Sequence, residues 1–140
     1  MTDVAVMVDE AVHERAAYIH IPFCRRRCPY CDFAVVDLSE DSPSIERYVD
    51  ALVAEIAMEE PWKPLHALNL GGGTPSALAP RQIGRLIETI GDHSGIAPGA
   101  EISIEANPED WTTEYAEQLA SVGVNRVSLG VQSFDGAVLA

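Results

Sequence analysis

The chain has 140 residues, of which 47% are hydrophobic and 22% charged, enough for one domain with a buried core. A formal net charge of −13 repels phosphate backbones and anionic lipid, which argues against nucleic acid as a partner. No apolar run approaches the ~18 residues of a membrane span, so no integral membrane segment is expected.

Residues 1–15, MTDVAVMVDEAVHER, lack the basic start and continuous apolar centre of a secretory signal. They read as a flexible extension, and a cytoplasmic location is expected. Residues 16–140 read as a strand–helix series. In AAYIHIP, residues 16–22, Ala17, Ile19 and Ile21 share one face, and Tyr18 and His20 share the other. That two-residue period predicts a strand. The three cysteines of the chain follow it at once, in CRRRCPYC. SPSIERYVDALVAEIAMEE then carries Ile45, Tyr48, Val49, Leu52 and Ile56 on one helical stripe. Ser42 is its expected N-cap, with Pro43 at the first helical position and Pro61 as its stop.

A second strand is predicted over 65–70, LHALNL, running into GGGTP. The helix after Pro80 buries Ile83, Leu86, Ile87 and Ile90, with Gly91 expected just beyond its end. EISIEANP, residues 101–108, alternates Ile102, Ile104 and Ala106 with Ser103, Glu105 and Asn107. A third helix starts near Thr112, aligns Tyr115, Leu119 and Val122, and takes Gly123 as its cap. NRVSLGVQSF, residues 125–134, is the fourth strand, and FDGAVLA reads as the opening of a further helix.

Repeated strand–helix units mean an α/β fold with parallel strands and outer helices. An ordinary barrel fills its interior with branched apolar residues. Here the inner positions are Tyr18, His20, Ser103, Glu105, Asn107, Arg126 and Gln132. Buried polar groups without partners are costly, so a solvated or ligand-filled face is expected. The series reads as the amino-terminal part of a (βα) barrel, incomplete after about the fourth strand. Such a piece would leave unpaired edges, and poor solubility or weak retention of a bound group is expected of it alone.

The reactive residues all fall just after a strand's carboxyl end, where parallel α/β folds bind ligands. Three cysteines cannot pair evenly, and a reducing compartment disfavours disulfides. Cys24, Cys28 and Cys31 in C-x3-C-x2-C therefore point to metal ligation. Three thiolates on a four-iron cluster would leave one iron open to an outside ligand. The competing reading adds His20 to make a Cys3His zinc site, a structural module without redox chemistry. Arg25, Arg26 and Arg27 form either a solvated loop or a local positive field beside a redox centre. Glu105 could equally be an inward carboxylate paired with Arg126.

With these residues in view, YIHIPFCRRRCPYCDF resembles the cluster-binding stretch of the radical S-adenosylmethionine (radical SAM) enzymes. The resemblance runs from about Tyr18 to the end of the chain. It implies a [4Fe–4S] cluster on Cys24, Cys28 and Cys31. S-adenosyl-L-methionine would chelate the open iron, and an electron donor would reduce the cluster. It further implies that Gly72, Gly73 and Thr74 of GGGTP meet the amino group of that cofactor. Glu105 and Gln132 would contact it, with Tyr18 and Tyr30 beside it.

Within that superfamily HIPFC, LNLGGGTPS, EISIEANPE and VNRVSLGVQSF resemble oxygen-independent coproporphyrinogen III oxidase and its relatives. The oxidase pattern has a fourth cysteine two residues after the third, where this chain has Phe33. That departure resembles the haem chaperone branch, which binds haem and hands it to acceptor haem proteins. The alternative is the oxidase itself, acting in porphyrin biosynthesis.

Overall fold

The computed structural model describes residues 15–38 and 44–139. All of the expected 1–15 extension except Arg15, and the Ser42–Pro43 helix start, lie outside the described residues.

In chain order the elements are β1 (Ala16–Ile21), β2 (Phe23–Cys24), β3 (Val36–Asp37), α1 (Ser44–Met58), β4 (Leu65–Gly72), α2 (Pro80–Ser94), β5 (Ile96–Ala106), α3 (Thr113–Ser121), β6 (Arg126–Leu129) and α4 (Gly136–Leu139). Strands β1, β4, β5 and β6 form one parallel sheet in that spatial order. Each crossover therefore steps to the next neighbour in the same direction. Right-handed crossovers of that kind place α1, α2 and α3 on one face. The α/β class with parallel strands and outer helices is borne out.

The covered face is the apolar one. Ile19 and Ile21 of β1, Leu68 and Leu70 of β4, and Ile102 and Ile104 of β5 pack against Val49, Ile56, Ile83, Leu86, Ile87, Ile90 and Leu119 of the helices. Each such side chain contributes about 1.5–3 kcal/mol by leaving water. The opposite face carries a polar row in register: Tyr18 beside Asn69, Asn69 beside Ser103, Ser103 beside Arg126. Ser103 is buried there and donates to Asn69 Oδ1 at 2.7 Å, so the row is satisfied internally.

Helix ends follow local chemistry. Thr112 caps α3, its hydroxyl accepting from the Tyr115 N–H at 3.1 Å. At the other end Gly123 takes φ +105°, and its N–H and that of Val124 close onto the carbonyls of Ala120 and Leu119. That is a Schellman motif, which needs the left-handed backbone glycine supplies. Several expected boundaries move: β5, expected over 101–108, runs from Ile96 to Ala106. Helix α2 continues through Gly91 to Ser94, and Gly95, at φ +87°, is the capping residue. The predicted fourth strand ends early: after Leu129 the N–H groups of Val131 and Ser133 turn back onto carbonyls two residues before them. Gln132 at φ +65° cannot continue an extended ladder.

Helices α2 and α3 meet closely where α2 has Gly84. A Cβ there would stand 2.9 Å from Val122 Cγ1. Gly84→Val should destabilise the fold by about 2 kcal/mol through overpacking. Adding Val122→Ala should restore part of the loss, read as denaturant midpoints of single and double variants.

Candidate functional site

The site forms where β1, β4 and β5 end. Its floor is the backbone of Gly71 and Gly72, and its walls are side chains from the two neighbouring strands. A Cβ on Gly71 would come within 2.9 Å of the Tyr18 ring and 3.1 Å of the Glu105 carboxyl. A Cβ on Gly72 would stand 2.6 Å from the His20 ring, and Gly72 has φ +114°. Only glycine meets both demands at this point. The Gly72 N–H donates to Glu105 Oε2 at 3.2 Å, and the Tyr18 hydroxyl lies 3.4 Å from His20 Nδ1. Burial first, and then the Glu105 charge, raise the Tyr18 pKa above 10.0, so the phenol is neutral.

Glu105 is not paired with Arg126. Arg126 instead bonds Glu101 Oε1 at 3.1 Å, four residues further back on β5. The Glu105 carboxylate is thus exposed on the polar face, held by a backbone N–H.

Beyond Gly72 the chain stays paired with the stretch after β1. The Gly73 N–H bonds the Ile21 carbonyl at 2.8 Å, and the Thr74 N–H bonds the Phe23 carbonyl at 2.7 Å. The Thr74 hydroxyl donates to the Cys24 sulfur at 3.5 Å, and a Cβ on Gly73 would lie 3.0 Å from that sulfur. GGGTP and the first cysteine are in direct contact.

The cysteine loop is closed at its base. Strand β2, which contains Cys24, pairs with β3, and the Leu38 N–H bonds the Cys24 carbonyl at 2.9 Å. Phe23 packs edge-on against Tyr48 of α1, whose hydroxyl donates to the His20 carbonyl at 2.6 Å. Cys24 is buried, Cys31 half-buried and Cys28 exposed, and all three are free thiols. The Cys31 N–H turns back to the Cys28 carbonyl at 3.0 Å, and Arg27 donates twice to the Cys31 carbonyl. Tyr30 is exposed, and its hydrogen bond with Cys28 raises its pKa above 10.0.

Among the described residues, no three His, Cys, Asp or Glu side chains converge on one point. The donor set nevertheless fits an iron–sulfur cluster: three unpaired soft thiols on one short loop. To hold one cluster together, Cys28 and Cys31 would have to approach the buried Cys24. His20 lies over Gly72 and beside Tyr18. Gln132 follows β6 with a positive φ of 65°. Its side chain donates to the Gly130 carbonyl at 3.3 Å.

The sequence profile of the radical SAM superfamily matches residues 18–140. The chain belongs to the radical SAM superfamily. Members of this superfamily generally use a [4Fe–4S] cluster and S-adenosylmethionine. A protein named heme chaperone HemW from Synechocystis is 42% identical over 130 residues, which cover 89% of this chain and 32% of that protein. A protein named anaerobilin synthase from Escherichia coli O157:H7 is 38% identical over 130 residues, covering 89% of this chain and 29% of it. The solved structure of the radical SAM enzyme coproporphyrinogen III oxidase (HemN) from Escherichia coli aligns with TM-score 0.77 at 34% identity, over 86% of this chain and 28% of that one. The chain thus spans about a third of the length of these relatives. Among the described residues no helix is long and apolar enough to cross a membrane.

Sequence reasoning overlooked a neighbouring network. Ser76 donates to Asp110 Oδ2 at 2.8 Å and accepts from the Asn107 N–H at 3.1 Å. The Tyr115 hydroxyl donates to the carbonyls of Ser76 and Leu78 at 3.2 and 3.0 Å. Burial, and then the Asp110 charge, push the Tyr115 pKa up to about 12, against a smaller opposing effect of Arg25. The fold favours the neutral phenol, so this contribution to stability is complete below pH 10.0 and is lost as pH rises through about 12. Urea midpoints should fall across that window, and Tyr115→Phe should flatten the fall while costing about 1 kcal/mol at pH 7.

Proposed function

We propose that this chain is the cofactor-binding part of a haem chaperone of the radical SAM superfamily. In this reading Cys24, Cys28 and Cys31 hold a [4Fe–4S] cluster, S-adenosylmethionine lies over Gly71–Thr74, and haem passes to acceptor haem proteins. The observation that carries the cofactor reading is the contact between Cys24 and Gly73–Thr74, next to the patch that Gly71 and Gly72 leave bare. When bound, the cluster would supply the electron that splits the sulfonium of the cofactor.

The protein's own groups supply the binding. The Gly72 N–H occupies Glu105 Oε2, which leaves the exposed carboxylate further acceptor capacity for an ammonium or ribose hydroxyl. Tyr18 and His20 wall the patch on the β1 side. The bare backbone of Gly71 and Gly72 lets a ligand approach as closely as van der Waals contact allows. Gln132 and Tyr30 would close on the cofactor from the β6 side and from the cysteine loop.

The chaperone branch is supported by Phe33, which is 64% exposed in the position where the oxidase pattern carries its fourth cysteine. The likeness to the oxidase structure supports the second reading, radical decarboxylation of coproporphyrinogen.

Anaerobic reconstitution of the full-length protein tests both. It should take up roughly four irons and four sulfides per chain, and serine at Cys24, Cys28 or Cys31 should abolish that uptake. Bound zinc without iron would sink the cofactor reading. Haem transfer to an apo-acceptor, without release of carbon dioxide from coproporphyrinogen, supports the chaperone; decarboxylation supports the oxidase. Glu105→Gln should weaken S-adenosylmethionine binding about tenfold, as expected for loss of one charge-assisted bond, measured by calorimetry on the loaded protein.

A further inference from the structure

Besides its backbone pairing, the cysteine loop is tied to the rest of the domain through a buried carboxylate. Asp110 sits in the short turn Pro108–Asp110 after β5, and its side chain is only 6% exposed. Its Oδ1 accepts from Arg25 Nε at 3.0 Å, and its Oδ2 accepts from the Ser76 hydroxyl at 2.8 Å. Arg25 directly follows Cys24. Ser76 directly follows GGGTP and also accepts the Asn107 N–H. Three strand-end segments therefore meet on a single side chain: the cysteine stretch after β1, the glycine turn after β4 and the turn after β5.

We infer that Asp110 is a positioning residue that fixes the buried end of the cysteine loop, acting through Arg25. The asymmetry of the loop supports this. Its first thiol is buried and held by Thr74, while its second is exposed. A ligand loop that must gather two less buried thiols onto a third needs that third to be fixed, and outer partners of metal ligands serve this purpose. A carboxylate suits the task. It takes Arg25 and Ser76 on different oxygens, and removing either partner leaves a buried charge less compensated. The sequence reading of the arginine run as solvent-facing or as a field thus misses a mechanical role for Arg25.

The purpose assigned to Asp110 rests on the cluster reading, but its geometry does not, and two measurements on the full-length protein separate them. In the metal-free protein, the rate at which iodoacetamide modifies Cys24 is mapped by mass spectrometry. In the reconstituted protein, the rate of iron loss to a chelator is followed. Asp110→Asn and Arg25→Gln should each speed Cys24 modification about tenfold through local opening. The double variant should go no further than either single one, since both remove the same link. Arg25→Lys should recover part of the protection, and iron loss should quicken in the same order.

Cys24 protection within twofold of the parent in a folded Arg25→Gln protein would overturn the inference. So would additive effects in the double variant, which would mean that Asp110 does not act through Arg25. If Asp110→Asn fails to fold, the Arg25 variants decide alone, because that side chain is 61% exposed. A parent protein that takes up no iron would remove the cluster reading while leaving the modification rates as the judge of the link.

Discussion

Two absent side chains hold this site open. At Gly71 the volume of a Cβ is already taken by the Tyr18 ring and the Glu105 carboxyl, and at Gly72 by the His20 ring. Side chains from β1 and β5 can therefore lean over β4 from both sides. The Gly72 N–H, at the last residue of the strand, turns to Glu105 and gives the carboxylate a fixed direction. Any other residue at either glycine would push these groups apart before a ligand arrived. The polar face costs little to keep, because Tyr18, His20 and Glu105 are exposed and Ser103, the buried member, bonds Asn69.

The parallel sheet then decides what stands next to that patch. Because β1 and β4 run the same way in register, their carboxyl ends arrive together. Hydrogen bonding between them does not stop with the strands: Gly73 and Thr74 continue it onto the carbonyls of Ile21 and Phe23. The glycine turn and the start of the cysteine loop are in effect one backbone unit. The β2–β3 pairing closes that loop at its base, and Phe23 fastens it to Tyr48 of α1. A bare backbone patch and a thiol-bearing loop are thus neighbours by construction, a consequence of ladder register and not of side-chain fitting.

Much of this was legible in the chain because it depends on local period. Ile19 and Ile21 against Tyr18 and His20, or Ile102 and Ile104 against Ser103 and Glu105, declare a covered and an open face within a few residues. The C-x3-C-x2-C spacing of Cys24, Cys28 and Cys31 raises the expectation of metal ligation within eight residues. What escaped depended on distance along the chain. The β2–β3 pairing has two residues in each strand, too few for any period. Arg126 stands opposite Ser103, midway between Glu101 and Glu105, so neither strand parity nor register tells in advance that it pairs with Glu101. Asp110 lies 85 positions after Arg25 in a Pro-Glu-Asp turn that looks like ordinary solvent-facing punctuation. Helix α2 overran Gly91 because a glycine inside a helix costs only about 1 kcal/mol, and packing outweighs it.

The charge distribution follows the same division. The chain is strongly acidic, yet three of its nine basic side chains fall in the eight residues that carry every cysteine. Arg25 spends its charge on Asp110, and Arg27 spends donors on the Cys31 carbonyl, so two of the three frame the loop from its ends. Arg26 is exposed between them. A positive field that merely favoured thiolates could come from lysines anywhere nearby. Arginine's planar, multi-donor head can hold a backbone carbonyl or a carboxylate in direction while keeping its charge. The run RRR is therefore better explained by the need to brace a loop of three thiols than by electrostatics alone.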